Sequence, residues 1–251
     1  MSLNHERITI EAADWNCSPS DVRSVAQSVL ETFREASGYE AEPGFHLLLR
    51  RNENPRAHYN RGPDGRFVIQ ISIGDRLWAN VAYQFAHETC HFMTRFYLQP
   101  LDRPMRWFDE SLCELASLFV LRRMAATWAT APPYPHWASY SAALDSYDKE
   151  RLQHLRTFVS PNDFRSWLSE ELPALNRDAV IRDLNAIVAW WLLPVFLDDP
   201  MIWKATEFIN DAPDISGDPQ CYFESWLAST DLEAQPFVRK ICARMGFDLV
   251  A

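Results

Sequence analysis

Residues 75–114 read DRLWANVAYQFAHETCHFMTRFYLQPLDRPMRWFDESLCE, and this stretch decides how the chain is interpreted. Within it, His87-Glu88-Thr89-Cys90-His91 places two histidines four residues apart. On an α-helix that spacing puts both imidazoles on one face, one turn apart, where they can reach the same metal ion. Glu88 lies next to that face, in a position to polarise a water on the metal. The pattern therefore predicts a metal site on a helix.

The flanking sequence predicts the helix that this site needs. Asp75 is a candidate N-cap, and apolar residues then repeat every four positions as a buried stripe, namely Leu77, Val81 and Phe85. Residues 67–73 alternate in the period of a strand, FVIQISI, immediately before the helix. We therefore expect a strand followed by the helix that carries the two histidines.

A second predicted helix, residues 107–124, supplies a third ligand. Glu110 follows His91 after eighteen intervening residues, in the segment WFDESLCE. Catalytic zinc takes three protein ligands and keeps one position for water, and two histidines with a glutamate are a common set. Asp109 and Glu114 are candidates to accept the second N–H of a zinc-bound histidine. The prediction is one Zn²⁺ per chain, held by both histidines and Glu110, with Glu88 as the catalytic base.

This combination resembles the gluzincins, which are zinc metallopeptidases with an H-E-x-x-H motif and a downstream glutamate ligand. The eighteen-residue gap is that of the aminopeptidase N-like branch. WFDESLCE is similar to the W-L-N-E-G-F-A segment of that branch, with Asp109 in place of Asn and Ser111 in place of Gly. The acid at Glu114 is more like the arrangement in thermolysin. The detailed match covers residues 67–124, roughly a quarter of this compact chain.

The resemblance and the order of predicted elements indicate an α+β, zincin-like fold. A small N-terminal α/β lobe with a mixed sheet would span residues 1–100. A mostly helical C-terminal lobe, residues 101–251, would carry the third zinc ligand, and the active-site cleft would lie between the lobes. In zincins the strand before the motif helix is often a sheet edge that an extended substrate can pair with.

The activity that the resemblance implies is hydrolysis of peptide bonds in a peptide or protein substrate. Members of the aminopeptidase branch stabilise the oxyanion with a downstream tyrosine, but Leu175 stands near the expected position. The available alternatives are Tyr134, Tyr140, Tyr147, His136 and His154. The G-x-M-E-N motif that binds the substrate amine in that branch is also missing. We therefore expect a peptidase that is not a typical aminopeptidase.

Composition restricts the partners and the compartment. The net charge of −10 argues against nucleic acid and against an anionic membrane surface. Five cysteines without a C-x-x-C pair indicate reduced thiols and a cytoplasmic protein. Cys90 and Cys113 lie beside the predicted ligands, and both are interpreted as small core residues. The sequence predicts no oligomeric state.

Two other interpretations remain open at this stage. The first is a zincin-fold protein that binds metal with little or no catalysis and acts as a binding or regulatory module. The second is a helical protein without metal, in which His87 and His91 are packed core residues. The metal content of the purified protein separates the second interpretation from the others.

Overall fold

The computed structural model describes residues 8–12, 15–38, 46–58, 60–100, 102–153, 164–211 and 216–249. The chain divides into two compact units. One consists of Met1–Cys90 with Ala116–Glu150, and the other of His91–Leu115 with Arg151–Ala251.

The first unit contains a four-stranded mixed sheet in the order β1-β2-β4-β3 within the described residues. Its strands are β1 (Ile8–Ile10), β2 (Leu47–Arg51), β3 (Arg56–Ala57) and β4 (Phe67–Ile71). β1 and β4 run parallel to β2, and β3 runs antiparallel to β4. The central strands are almost continuously apolar and buried, as expected for parallel strands covered on both faces.

The strand predicted before the motif helix is confirmed as β4. It is not a sheet edge, because β2 pairs along its whole length on one side and β3 pairs on the other. The edge position belongs to β3, which is two residues long. The expectation that β4 itself is an edge available to a substrate is therefore wrong.

The helix carrying the two histidines is confirmed as α2 (Trp78–Met93). It begins later than predicted, because Asp75 adopts a left-handed conformation with a φ of 57° and belongs to the preceding turn. Leu77 precedes the helix and is 49% exposed, so it is not part of the buried stripe. Val81 and Phe85 are fully buried, as predicted. The Asp75 cap was wrong because Asp75 belongs to the turn after β4, and the Leu77 contact was wrong because Leu77 stands at the exposed start of the helix, where its carbonyl accepts the 3.0 Å hydrogen bond from the Val81 N–H.

The rest of the described chain is mostly helical. α1 (Pro19–Ser37) lies between β1 and β2, and α3 (Arg106–Trp128) confirms the second predicted helix. The remaining helices are α4 (Ser141–Gln153), α5 (Phe164–Arg177), α6 (Arg182–Asp198), α7 (Trp203–Thr206), α8 (Pro219–Ser229) and α9 (Gln235–Arg244), with short 3-10 turns at Phe96–Leu98, Pro135–Tyr140 and Pro200–Ile202. The α+β class with a mixed N-terminal sheet is thus confirmed. The division into lobes at residue 100 stays a prediction.

The helices were also compared with the length and hydropathy of a membrane span. Among the described residues, no single helix is both long enough and apolar enough to cross a membrane. α6 and the segment Pro200–Thr206 reach that length and hydropathy only when they are taken together, and the pair is bent by 119°.

Candidate metal centre

The first part of the site is the C-terminal half of α2. His87 and His91 are four residues apart on this helix, as the sequence predicted. Glu88 and His91 are buried, and His87 is partly exposed. The helix is apolar around them, with Cys90 and Phe92 also buried. Buried polar groups of this kind require polar partners, and α3 supplies several of them.

One nitrogen of His91 faces the predicted third ligand. Nε2 of His91 lies 3.8 Å from Oε2 of Glu110. The other carboxylate oxygen of Glu110 accepts a 2.8 Å hydrogen bond from Nη2 of Arg106, one turn earlier on α3. Glu110 is buried. Its carboxylate is thus oriented by an arginine on one oxygen, while the second oxygen is directed at the imidazole.

The other nitrogen of His91 faces two different groups on α3. Nδ1 lies 3.5 Å from Oδ2 of Asp109 and 3.3 Å from Sγ of Cys113. Oδ2 of Asp109 also accepts from Nη2 of Arg103 at 3.4 Å, and this arginine is itself buried. The position of Asp109 is the one that an acceptor for the second N–H of a metal-bound histidine would occupy. Its role in orienting His91 stays a prediction.

Cys113 is a donor that the sequence interpretation assigned only to the core. It is fully buried. Its Sγ and one ring nitrogen each of His87 and His91 all lie within 4.8 Å of one another. This mostly buried group could hold a metal ion, and it does not include the predicted third ligand, Glu110. The available signal was the position of Cys113 three residues after Glu110, which places the two side chains on neighbouring parts of one helical face.

Cys90 has the environment that the sequence predicted. It is fully buried on α2 and is a free thiol. The group of described residues that could hold a metal ion does not include it. Cys90 and Cys113 therefore differ in surroundings although both flank the motif residues.

Glu114 has an arginine partner from another helix. Its Oε1 accepts a 3.1 Å hydrogen bond from Nη2 of Arg151 on α4. Glu114 is buried, whereas the Arg151 side chain is 28% exposed. This ion pair holds the carboxylate in place, and a contact of Glu114 with a metal-bound histidine stays a prediction.

The charge balance around the two helices suits a bound cation. The described parts of α2 and α3 bury four carboxylates, those of Glu88, Asp109, Glu110 and Glu114. Three arginines pair with the α3 acids, namely Arg103, Arg106 and Arg151. Because burying an ionised group without compensation is costly, a divalent cation at the imidazoles would lower the free energy of this acidic cluster. The donor types present, imidazole, carboxylate and thiol, are those that zinc takes.

The oxyanion candidates have different surroundings. Tyr140 donates a 3.3 Å hydrogen bond from its hydroxyl to the carbonyl oxygen of Arg76, and burial raises its pKa above the usual value. The ring of Tyr147 packs edge-on against Tyr83, with ring centres 5.5 Å apart. Tyr83 lies one turn before His87 on α2, which places Tyr147 beside the helix face that carries the histidines. His154, the third main candidate, lies outside the described residues.

Comparisons of the chain with family models, with curated proteins and with solved structures gave no match. The functional interpretation therefore depends on the residues and distances given above.

Proposed function

We propose that this protein is a zinc-dependent metallopeptidase whose zinc ligands are His87, His91 and Glu110. The observation that supports it most is the 3.8 Å separation of Nε2 of His91 and Oε2 of Glu110. In a tetrahedral zinc site an imidazole nitrogen and a carboxylate oxygen lie about 3.4 Å apart, which is close to this separation. A zincin-like fold with its cleft between residues 1–100 and 101–251 is part of this proposal.

Zinc bound there supplies a water of lowered pKa and a Lewis acid for the substrate carbonyl. Glu88 follows His87 directly, and its side chain is buried. It accepts the proton of the attacking water and delivers it to the leaving amine. Arg106 holds one oxygen of Glu110 and thereby leaves the other oxygen to the metal.

For the oxyanion, the contacts favour Tyr147 over Tyr140. Tyr147 packs against Tyr83, which lies one turn before His87 on α2. A tyrosine hydroxyl that donates a hydrogen bond to the developing oxyanion stabilises the transition state. The substrate would be a peptide or protein. The missing amine-binding motif favours cleavage within a chain over removal of its first residue.

A second candidate function is metal binding with little or no catalysis. The observation that favours it is Cys113, whose Sγ lies with His87 and His91 in one group. Thiolate and imidazole donors are typical of structural zinc sites, in which protein ligands fill every position. Such a protein would act as a binding or regulatory module.

The test is to purify the protein without added metal, measure zinc per chain and screen a peptide library. We expect one zinc per chain in the wild type, retained in Glu88→Gln with cleavage lost, and strongly reduced in Glu110→Gln. Glu170→Gln, which changes an exposed glutamate on α5, is the matched control and should keep both zinc and cleavage. Zinc without cleavage of any peptide would favour the second candidate. No stoichiometric zinc, even after addition, would overturn both.

A further inference from the structure

The imidazole of His91 faces different donors with its two nitrogens. Nε2 lies 3.8 Å from Oε2 of Glu110, and Nδ1 lies 3.3 Å from Sγ of Cys113. In tetrahedral zinc sites an imidazole nitrogen and a thiolate sulfur are about 3.6 Å apart, and a nitrogen and a carboxylate oxygen about 3.4 Å. Both observed separations are near these values. A single ion cannot bind both nitrogens of one ring, so only one of the two arrangements can be occupied at a time.

We propose that Cys113 is an alternative metal ligand, which competes with Glu110 for a single ion through the opposite nitrogen of His91. The thiolate set consists of His87, Nδ1 of His91 and Sγ of Cys113. The carboxylate set consists of His87, Nε2 of His91 and Glu110. The proposal rests on the proposed function only in naming the carboxylate set as the active one, and it makes the thiolate set a closed, inactive state of the same site.

Asp109 gives the thiolate set a fourth donor. Its Oδ2 lies 3.5 Å from Nδ1 of His91, the same nitrogen that faces Cys113. Its Oδ1 is buried and has no hydrogen-bond partner among the described residues. Such an oxygen lacks compensation for its lost hydration, which a cation would supply. Two imidazoles, a thiolate and a carboxylate would fill all four positions of zinc and leave none for water.

Each ligand set leaves a hydrogen-bond acceptor for the nitrogen that it does not use. When Nε2 binds the metal, Nδ1–H donates to Asp109. When Nδ1 binds the metal, Nε2–H faces the Glu110 carboxylate, whose Oε2 lies 3.8 Å away. Since the hydrogen bond on one nitrogen determines which nitrogen is free to bind, the surroundings of His91 support both tautomers.

The exchange between the sets balances without a redox partner. The bonds from the metal to Nε2, to the Glu110 oxygen and to its water break, and bonds to Nδ1, to Sγ and to the Asp109 carboxylate form, while the water leaves to solvent. The Cys113 thiol releases its proton to solvent as the thiolate forms, and the ring proton moves from Nδ1 to Nε2. The metal keeps its charge and the number of electrons is unchanged.

Cobalt(II) in place of zinc tests the proposal, because a cobalt–thiolate bond gives a charge-transfer absorption that carboxylate and imidazole ligands do not give. We expect this absorption in the wild type and its loss in Cys113→Ser. Cys90→Ser is the matched control, because Cys90 is equally buried and adjacent to His91 in sequence, and it should keep the absorption. In Glu110→Gln the absorption per bound cobalt should increase, because the competing set is disabled and the cobalt that remains is held by the thiolate set. Cys113→Ser should keep most of its zinc, because the carboxylate set remains, and its cleavage per bound zinc should rise.

The outcomes separate this inference from the proposed function. Cobalt bound to the wild type without the absorption, together with loss of metal in Glu110→Gln, would overturn the role of Cys113 and leave the proposed function standing. Full metal content in Glu110→Gln, with the absorption lost in Cys113→Ser, would support the thiolate set and overturn the carboxylate set. No cobalt bound to any variant would overturn both. Circular dichroism of each variant identifies those that fail to fold, and Cys113→Ala then replaces a misfolded Cys113→Ser.

Discussion

The two helices that form the candidate metal centre specify their donors in different ways. On α2 the relative position of His87 and His91 follows from helix geometry alone, since residues four apart share a face. On α3, Asp109, Glu110 and Cys113 lie within one turn and a half, and all three face the same imidazole. Which of them binds a metal depends on how the two helices pack. Local spacing thus defines a pair of donors, whereas the third donor is a property of the tertiary structure.

Each of the three acids of α3 pairs with an arginine, and the three pairs differ in side-chain exposure. The Arg103 and Asp109 side chains are both 3% exposed, whereas Arg106 and Arg151 are 26% and 28% exposed in their pairs with Glu110 and Glu114. The first pair is enclosed in the protein and the other two are open to water at the guanidinium. Because the three ion pairs differ in exposure, we expect different effects on stability when each arginine is removed.

The largest effect is expected for Arg103→Met. Removing one member of a fully buried ion pair leaves the other charge uncompensated, which costs about 3–5 kcal/mol. We expect the free energy of unfolding to fall by about that amount in urea denaturation with a chelator present.

The double variant Arg103→Met with Asp109→Asn is the control, and it should recover part of the loss because no buried charge remains unpaired. A loss below about 1 kcal/mol in the single variant would contradict the assignment of a buried ion pair and would make Arg103 resemble an exposed arginine.

A smaller effect is expected for Arg106→Met. The guanidinium is partly solvated, so its loss should cost about 1–2 kcal/mol in the metal-free protein. Added zinc should offset this loss, because the cation replaces the positive charge beside Glu110. The increase in the unfolding midpoint on adding zinc should therefore be larger in the variant than in the wild type.

Arg151→Met is the matched control for this experiment. Arg151 is almost equally exposed and also pairs with an acid of α3, but that acid is Glu114. The increase in the unfolding midpoint on adding zinc should be the same in Arg151→Met as in the wild type. If zinc raises the unfolding midpoint equally in Arg106→Met and Arg151→Met, Glu110 interacts with the metal no more strongly than Glu114 does.

The smallest effect concerns an acid that belongs to neither helix. Asp148 on α4 accepts a 2.8 Å hydrogen bond from Arg122, and burial raises its pKa above the usual 3.8, while the hydrogen bond from Arg122 opposes this shift. The folded protein therefore binds this proton more tightly than the unfolded chain. Stability from this group is fully present below pH 3.8 and is lost as the pH rises through the raised pKa.

The measurement is the free energy of unfolding of the wild type minus that of Asp148→Asn, as a function of pH. We expect the difference to fall as the pH rises from about 4. A chelator in every sample is the control that removes metal-linked protonation from the comparison. A difference that rises with pH would mean that the hydrogen bond from Arg122 lowers the pKa of Asp148 by more than burial raises it.

Sequence patterns predicted most of the elements around the site. The strand β4, the helix α2 and the helix α3 were expected from periodicity, because each reflects which side of a local segment meets the core. The error at Asp75 came from the turn after β4. Asp75 there takes a left-handed conformation and donates its N–H to the carbonyl oxygen of Trp15, sixty residues earlier. A contact of that sequence separation has no local signature.

The chain specifies by its sequence alone that two histidines share one face of a helix and that a glutamate lies beside that face, because 3.6 residues per turn fixes their directions. It also specifies that acids and a cysteine recur on a second helix. Only the tertiary structure decides that Cys113 faces Nδ1 of His91 while Glu110 faces Nε2. That choice depends on the packing of α3 along α2, to which the 2.8 Å hydrogen bond from Ser117 to the Tyr83 carbonyl contributes. The physical reason is that side-chain direction within a helix is local, whereas the rotation and height of one helix against another result from many non-local contacts.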